Sequence, residues 1–438
     1  MTQGITLLPE DVVHLIAAGE VVDSLAAVVR ELAENALDAG ATRITIALWV
    51  EQWRVRVADN GVGMRLDDLK QAATAHSTSK IRDRQDLWKI SSLGFRGEAL
   101  HSLAQLSNLE IASYPLPEEP QPNGQLSERV ADSPGGWSAI YNHQGNLIQL
   151  TPVAIAPGTI VIADRIFENL PGRRQGLPNP MQQLRAVQAM IHQLALCHPQ
   201  VTWQVQQSDR DWFTLFPSDT ARQILPQILR DVQVEDLQEV FWTQGQEAED
   251  EGDMQHASTP QSSIFNPQSP LPTLYSVSPP ASSPSLSLLL GLPDRCHRHR
   301  PDWVKVAVNG RFVQVPELEQ TILAGFRRTL PRDRFPICLV HLQVPPEEID
   351  WNRHPAKSEI YLHHLDQWRQ RVAQAISQAL RLNPGSLPET LYSSRIETLL
   401  KTAETGGHYY TGDAHRPTAE TTPQPPTPNP LKALAQVH

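Results

Sequence analysis

Glu31, Asn35 and Asp38 lie within one short run, Glu31-Leu32-Ala33-Glu34-Asn35-Ala36-Leu37-Asp38. At 100° per residue of helix, Asn35 falls roughly 40° and Asp38 roughly −20° from Glu31, so the three side chains project together. Leu25, Val28, Val29, Leu32, Ala36 and Ala39 fall between roughly 60° and 160°, which makes an apolar stripe beside them. A carboxamide one turn from a carboxylate, at the rim of a buried stripe, has the chemistry to hold a divalent cation through Asn35 and to orient a water with Glu31. A solvated helix face is the commoner outcome of such a pattern, and the helix alone leaves both readings open.

Three further clusters carry chemistry. Asp59-Asn60-Gly61-Val62-Gly63-Met64 follows an alternating strand; its glycines let backbone approach a ligand, and its carboxylate can accept a hydrogen bond from a base amine. The same text is also an ordinary turn. Gly94-Phe95-Arg96-Gly97-Glu98-Ala99-Leu100 sets two glycines before a helical pattern, a suitable phosphate cradle because amide groups and the positive helix end face the anion. Asp350-Trp351-Asn352-Arg353-His354-Pro355-Ala356-Lys357 offers a lysine with the reach for a terminal phosphate if two domains meet, although a surface lysine is the ordinary case. The Walker spacing is absent, Cys296-His297-Arg298-His299 has no second zinc-ligand pair, and no Gly-x-Ser-x-Gly elbow occurs.

The elements that must position these residues follow from periodicity. Helix is expected over about 25–37, 67–75 and 180–196, and strand over 44–49, 54–57 and 158–162, an α+β layer with a mixed sheet. Residues 243–287 turn acidic and then Ser/Pro-rich, which reads as a disordered insertion. Order is expected to resume at Leu288, with strands over 303–308, 312–313 and 335–342, a turn at Asn309-Gly310, and helices over 317–329 and 365–380. The text after about 383 is too rich in Pro, Thr and Gly to bury a core.

The chain has 438 residues, 40% of them hydrophobic, enough for two or three cores. No apolar run is long enough to cross a bilayer and no signal-peptide pattern opens the chain, so a soluble cytoplasmic protein is expected. Three cysteines without paired spacing fit a reducing compartment. The net charge of −11 excludes a wholly basic nucleic-acid coat but not a local phosphate-binding patch.

In this order the motifs resemble the MutL mismatch-repair family of the GHKL ATPases, over about residues 1–380. The specific pieces are Ile16-Ala17-Ala18-Gly19-Glu20-Val21-Val22, the Glu31 to Ala41 run, Asp59-Asn60-Gly61-Val62-Gly63-Met64, Ser77-Thr78-Ser79-Lys80-Ile81, and Gly94-Phe95-Arg96-Gly97-Glu98-Ala99-Leu100. Val308-Asn309-Gly310-Arg311 and Asn352-Arg353-His354-Pro355-Ala356-Lys357 are similar to the family's second domain. The resemblance implies a GHKL (Bergerat) sandwich of helices on a mixed β-sheet over 23–225, after an N-terminal arm at 1–22. It also implies a smaller α/β transducer domain over 226–382, with a ribosomal-protein-like fold and the 243–287 insertion, and a disordered tail at 383–438.

On the same resemblance Glu31 is the general base and Asn35 the Mg²⁺ ligand of an ATP site. Asp59 reads adenine, supported by Gly61, Gly63 and Thr159. Thr78, Lys80, Gly94, Phe95, Arg96 and Gly97 close over the phosphates, and Lys357 touches the terminal one. The implied activity is weak ATP hydrolysis that gates a matchmaker in mismatch repair. Its implied partners are the mismatch-recognition protein MutS, DNA bound without sequence preference, a downstream helicase or nuclease, and a second copy on ATP binding, with work at the nucleoid; the alternative is a non-cycling interaction scaffold that needs a separate C-terminal partner.

Departures sharpen these expectations. Asp23-Ser24-Leu25 stands where the family has Glu-Arg-Pro, and Pro171-Gly172-Arg173-Arg174 where it has Pro-Ala-Arg-Arg. The family's metal-dependent nicking motif, Asp-Gln-His-Ala, has no match, since Asp366-Gln367 is followed by Trp368, so no endonuclease activity is expected. For DNA, a basic stretch is available in Arg295, His297, Arg298, His299, Arg300, Arg311, Arg327, Arg328, Arg332 and Arg334, with salt bridges on a solvated face as the alternative.

Overall fold

The structure is a computed structural model that describes residues 7–78, 80, 92–94, 97–117, 135–243, 284–351 and 360–381. Helices α1 (Glu10–Val21) and α2 (Leu25–Asp38) come first. The Asp23-Ser24-Leu25 departure starts α2 well: Ser24 is extended and its Oγ accepts the Ala27 amide at 3.2 Å, so a side-chain cap satisfies one of the free amides of the first turn. Arg173 closes α1 from the other side. Its guanidinium donates to the carbonyls of Gly19 and Val22, the last acceptors of that helix, and an added Cβ at Gly19 would lie 3.1 Å from Arg173 Nη2.

Strands β1 (Arg43–Trp49) and β2 (Arg54–Asp59) follow, then α3 (Leu66–Gln71) and α4 (Ala99–Leu106). Next come β3 (Asn108–Tyr114), β4 (Trp137–Tyr141), β5 (Leu147–Pro152) and β6 (Gly158–Asp164). Helices α5 (Pro171–Gly176) and α6 (Pro180–Cys197), strands β7 (Thr202–Gln207) and β8 (Arg210–Leu215), and α7 (Ala221–Ile228) complete this half. The strands form one eight-stranded sheet, β5-β4-β3-β6-β2-β1-β7-β8, in which every neighbouring pair is antiparallel except the parallel β1–β7. Alternation sends Ile44, Ile46 and Leu48 of β1 and Val55 and Val57 of β2 into a core with Leu25, Val28, Val29 and Leu32 of α2 and Leu184, Val187 and Ile191 of α6. The apolar stripe of α2 is therefore the face that anchors it to the sheet, which leaves the Glu31–Asn35–Asp38 side at the rim.

The second half contains β9 (Leu237–Thr243), β10 (Ser285–Gly291), β11 (His297–Arg298), β12 (Val304–Val308), β13 (Arg311–Val313) and α8 (Pro316–Phe326). It continues with β14 (Phe335–Pro336), β15 (Cys338–Gln343), β16 (Ile349–Asp350), β17 (Tyr361–Leu362) and α9 (Leu365–Ala379). Its sheet runs β13-β12-β15-β10-β9. Leu288 and Leu290 point into a core with Leu318, Ile322 and Phe326 of α8 and Trp368, Val372 and Ile376 of α9, while Leu289, Ala307 and Leu339 face the core of the first half. Both faces of this sheet are covered, which explains its near-continuous apolar strands. Helices α8 and α9 touch at Gly325, where an added Cβ would meet Ile376 Cγ2 at 2.9 Å.

Several elements differ from expectation. Helix α3 stops at Gln71, and the chain then turns, with His76 at a φ of +58°. Helix α8 stops at Phe326 rather than near 329. Trp303 belongs to a 3₁₀ turn, Pro301–Trp303, before β12. The expected strand over 335–342 breaks at Ile337: Phe335–Pro336 pairs with His297–Arg298, and Cys338–Gln343 joins the main sheet. Strand β10 begins at Ser285, inside the tract read as disordered to 287. Residues 244–283 and 382–438, the remainder of that insertion and the tail, lie outside the described residues. The boundary expected after residue 225 falls within α7. Among the described residues no single helix is long and apolar enough to cross a membrane.

Candidate active site

Helix α2 connects the two ends of the site. On its polar face Glu31 is 7% exposed. Among the described residues its carboxylate accepts no hydrogen bond, and its charged neighbour Arg30 stays 3.9 Å away (Nε to Oε1). A carboxylate held at a rim with its lone pairs open is suited to taking a proton from water. One turn on, Asn35 Oδ1 receives the Lys80 ammonium at 3.3 Å, and Asp38 Oδ2 receives the same ammonium at 2.5 Å.

Asp38 also organises the glycine segment. Its Oδ1 accepts the Leu93 amide and its Oδ2 the Gly94 amide, each at 2.9 Å. Gly94 is packed so closely that an added Cβ would lie 3.1 Å from Lys80 Nζ and 3.2 Å from Asn35 Oδ1. Gly97 has φ +66°, and a Cβ there would sit 2.7 Å from the Ser77 carbonyl and 3.1 Å from Thr78 Cβ. Thr78 in turn accepts the Lys80 amide on its hydroxyl at 3.2 Å. Asn35, Thr78, Lys80, Gly94 and Gly97 thus lie about the C-terminal turn of α2.

The second half of the site is built just beyond, where the chain leaves α2 at Ala39. The Val62 amide donates to the Ala39 carbonyl at 3.0 Å, and an added Cβ on Gly61 would approach that oxygen to 2.7 Å. Gly63, at φ +70°, lies under Tyr114, whose carbonyl oxygen would be 2.2 Å from a Cβ; only glycine passes here. Asp59 pairs with Thr159 across β2 and β6, and its Oδ1 accepts the Gly61 amide at 2.8 Å. The Thr159 hydroxyl is 2.9 Å from Ser113 Oγ, which also accepts the Met64 amide at 2.8 Å and lies 3.0 Å from the Gly158 carbonyl. Ser113 fixes both the loop and the threonine. Sequence reading missed it because a serine in an alternating strand carries no signal of its own.

Burial pushes the Asp59 carboxyl up to about 6, although hydrogen bonds from Gly61 and Thr159 favour its charged form. Its folded value lies above the unfolded 3.8, so its contribution to stability is whole below pH 3.8 and lost as pH rises through about 6. Asp59→Asn keeps the acceptor for Gly61 and removes the buried charge. Thermal melts of this variant without ligand are expected to exceed the native protein by about 2–4 °C at pH 8, a gain of order 1 kcal/mol, and to match it near pH 3.8. Equal melting points at pH 8 would contradict this account.

Phe95, Arg96 and Lys357 lie outside the described residues. Arg311 corrects the sequence reading. Grouped there with a basic, phosphate-facing stretch, it is 4% exposed and donates through Nη2 to Glu34 on α2 and to the Leu93 carbonyl at 3.0 Å. Linear clustering of arginines reports charge, not burial. Arg298 is paired with Asp231 and Asp302, and Arg295 with Asp236 and Asp294, so the exposed arginines of that stretch without such pairs among the described residues are Arg300, Arg327, Arg328 and Arg332.

For a metal, no group of three or more His, Cys, Asp or Glu side chains among the described residues is arranged as a cage. The donor set fits a hard cation carried mainly by a phosphorylated ligand and held to protein through one oxygen, Asn35 Oδ1, which is how Mg²⁺ is commonly bound.

Comparison with known proteins adds to this geometry. Residues 23–133 match the family model described as histidine kinase-, DNA gyrase B-, and HSP90-like ATPase, and residues 273–381 match that of the DNA mismatch repair protein, C-terminal domain. The chain is 52% identical over 443 residues to the DNA mismatch repair protein MutL of Nostoc punctiforme, across 100% of this chain and 70% of that protein. A protein of the same name from another Nostoc strain is 52% identical over 437 residues with the same coverage. Among solved structures, the N-terminal domain of a DNA repair protein has the same fold, with a TM-score of 0.62 at 20% identity over 86% of this chain and 100% of that one.

Proposed function

The chain belongs to the MutL family of DNA mismatch repair proteins and carries the family's GHKL-type ATPase domain, and from that premise we propose that it is a slow, Mg²⁺-dependent ATPase working as a nucleotide-gated switch. The observation that carries this reading is the convergence on α2: an uncommitted, buried Glu31 beside Asn35, with Lys80 and the Gly94 segment drawn onto the same helix end.

The proposed chemistry needs little movement of protein atoms. Adenine lies between Gly63 and the Asp59–Thr159 pair, its amine donating to the Asp59 carboxylate. Phosphates lie along Thr78, Lys80, Gly94 and Gly97, with Phe95 and Arg96 completing the lid. Mg²⁺, when bound with the nucleotide, neutralises charge that builds on the transferred phosphoryl group. Asn35 Oδ1 would hold the Mg²⁺ in place of the Lys80 ammonium, which would then serve the phosphates, while Asp38 holds the Leu93 and Gly94 amides. Glu31 then takes the proton of the water that attacks the γ-phosphorus, the bond to the bridging oxygen breaks, and ADP and phosphate leave. Lys357, from the second domain, is assigned the terminal phosphate, so that hydrolysis state and domain arrangement are linked.

The division into an arm at 1–22, an ATPase domain at 23–225 and a transducer domain at 226–382 is part of the same proposal, with α7 as the joint between the two domains. So is the role of the switch: passing a signal from MutS, on DNA held without sequence preference, to a downstream helicase or nuclease, in the cytoplasm at the nucleoid. Arg300, Arg327, Arg328 and Arg332 are the proposed phosphate contacts. No nicking centre is assigned to this chain.

Size-exclusion chromatography with light scattering tests the switch. The protein is expected to double in mass when a non-hydrolysable ATP analogue and Mg²⁺ are added, and the same preparation with Mn²⁺ is expected to leave supercoiled DNA uncut. An unchanged mass, with nucleotide binding measured separately, counts against a gate that closes by dimerisation.

A further inference from the structure

The hairpin that joins β12 to β13 reaches out of the second domain and ends against α2. Its turn residues Asn309 and Gly310 have φ +47° and +82°, the left-handed pair of a tight two-residue hairpin. The turn is tied down through the Asn309 side chain and the Gly310 backbone. The Asn309 side chain donates to the Val344 carbonyl and accepts the Val344 amide, each at 2.8 Å. The Gly310 amide donates to His341 Nε2 at 3.0 Å, and the Gly310 carbonyl lies 3.2 Å from His198 Nε2. His341 must therefore be neutral with Nε2 as acceptor, and His198 must carry its proton on Nε2; burial lowers the pKa of both rings, which suits these forms. The next residue, Arg311, is thereby presented from a fixed support.

From there the guanidinium reaches two elements of the site at once. Nη2 donates to the Glu34 carboxylate, on the helix that carries Glu31 and Asn35, and to the Leu93 carbonyl at 3.0 Å. Leu93 immediately precedes Gly94, and its amide is held from the opposite side by Asp38. The Leu93–Gly94 segment is clamped between α2 and the second domain.

We propose that Arg311 is a positioning residue for the ATPase reaction: its guanidinium, joining Glu34 on α2 to the Leu93 carbonyl, sets the Leu93–Gly94 segment in register with Glu31 and Asn35 from the second domain. The inference rests on the ATPase reading above. Lysine at this position keeps the charge but lacks the planar fork that serves a carboxylate and a carbonyl together. Nucleotide capture is thus made dependent on the seating of the second domain, through a residue that need not touch the nucleotide.

The test uses the full chain with two variants. In Glu34→Met/Arg311→Met the two partners are replaced by apolar side chains of similar length, so neither member of the pair is left without the other; Arg311→Lys is the conservative companion should the double variant not fold. Amide hydrogen exchange at Leu93 and Gly94 without nucleotide reports the clamp, and titration with a fluorescent ATP analogue reports capture. Exchange at these two amides is expected to rise about tenfold and the Kd for the analogue to rise about tenfold in either variant, with exchange in the β12–β13 ladder unchanged. Native exchange at Leu93–Gly94 together with a native Kd in a folded variant overturns the proposal. If the unsubstituted protein binds no ATP analogue, the ATPase reading fails, and the exchange arm still decides whether the clamp exists.

Discussion

ATP turnover is expected to fall by about 10²–10⁴-fold in Glu31→Ala, while the affinity for ATP stays within about twofold of the native protein. The separation of the two effects follows from the surroundings of Glu31. Its carboxylate accepts no hydrogen bond among the described residues and pairs only loosely with Arg30 at 3.9 Å, so its removal breaks no hydrogen bond among them. Adenine and phosphate contacts are assigned to other groups, Asp59 and Thr159 at one end and Thr78, Lys80, Gly94 and Gly97 at the other. Phosphate release under saturating ATP and equilibrium titration of a fluorescent analogue make the comparison. Undiminished turnover in Glu31→Ala would remove the general base from the proposed site.

The second large effect concerns folding. Glu34 is 1% exposed and Arg311 4%, and each ends on the other. Truncating either residue breaks an ion pair that lies away from water, so Glu34→Ala or Arg311→Met alone is expected to cost about 3–5 kcal/mol in urea denaturation. Replacing both with methionine is expected to recover most of that loss, because two apolar side chains of similar volume carry no desolvation penalty. A double variant as unstable as either single one would show that the stability comes from packing around the pair and not from its charges.

The site residues differ in how far their text revealed them. Helix α2 was legible because its apolar stripe and its polar face are separate in angle, whereas the glycines at 61, 63, 94 and 97 gained meaning only from the order of motifs in which they stand, because glycine after a strand is also an ordinary turn. Asp38 stood on the polar face from the start, yet its task of holding the Leu93 and Gly94 amides depends on a segment 55 and 56 residues away. Glu34 and Arg311 are 277 residues apart, and no local pattern marks either as one half of a buried pair. The fold shows the same division. Strand and helix existence followed from periodicity, whereas the early end of α3 did not, and the break at Ile337 depends on a partner strand at His297–Arg298. Ser113, His198 and His341 are polar residues whose partners are backbone groups of other elements, which sequence spacing does not encode.

The parallel pairing of β1 with β7 also governs how the protein comes into being. Trp49 ends β1 and Thr202 begins β7, and α6, whose Leu184, Val187 and Ile191 join the core with α2, is also made late. At about 5–20 residues per second of synthesis, roughly 8–30 s separate the emergence of the two strands. Throughout that interval one edge of β1 lacks its partner and the apolar stripe of α2 lacks the α6 side of its cover. Such edges and stripes are what holdase chaperones bind and what nascent chains aggregate through. An interior strand of the eight-stranded sheet is therefore born as an edge, and a polypeptide released before Gln207 would carry α2 without a finished floor beneath it.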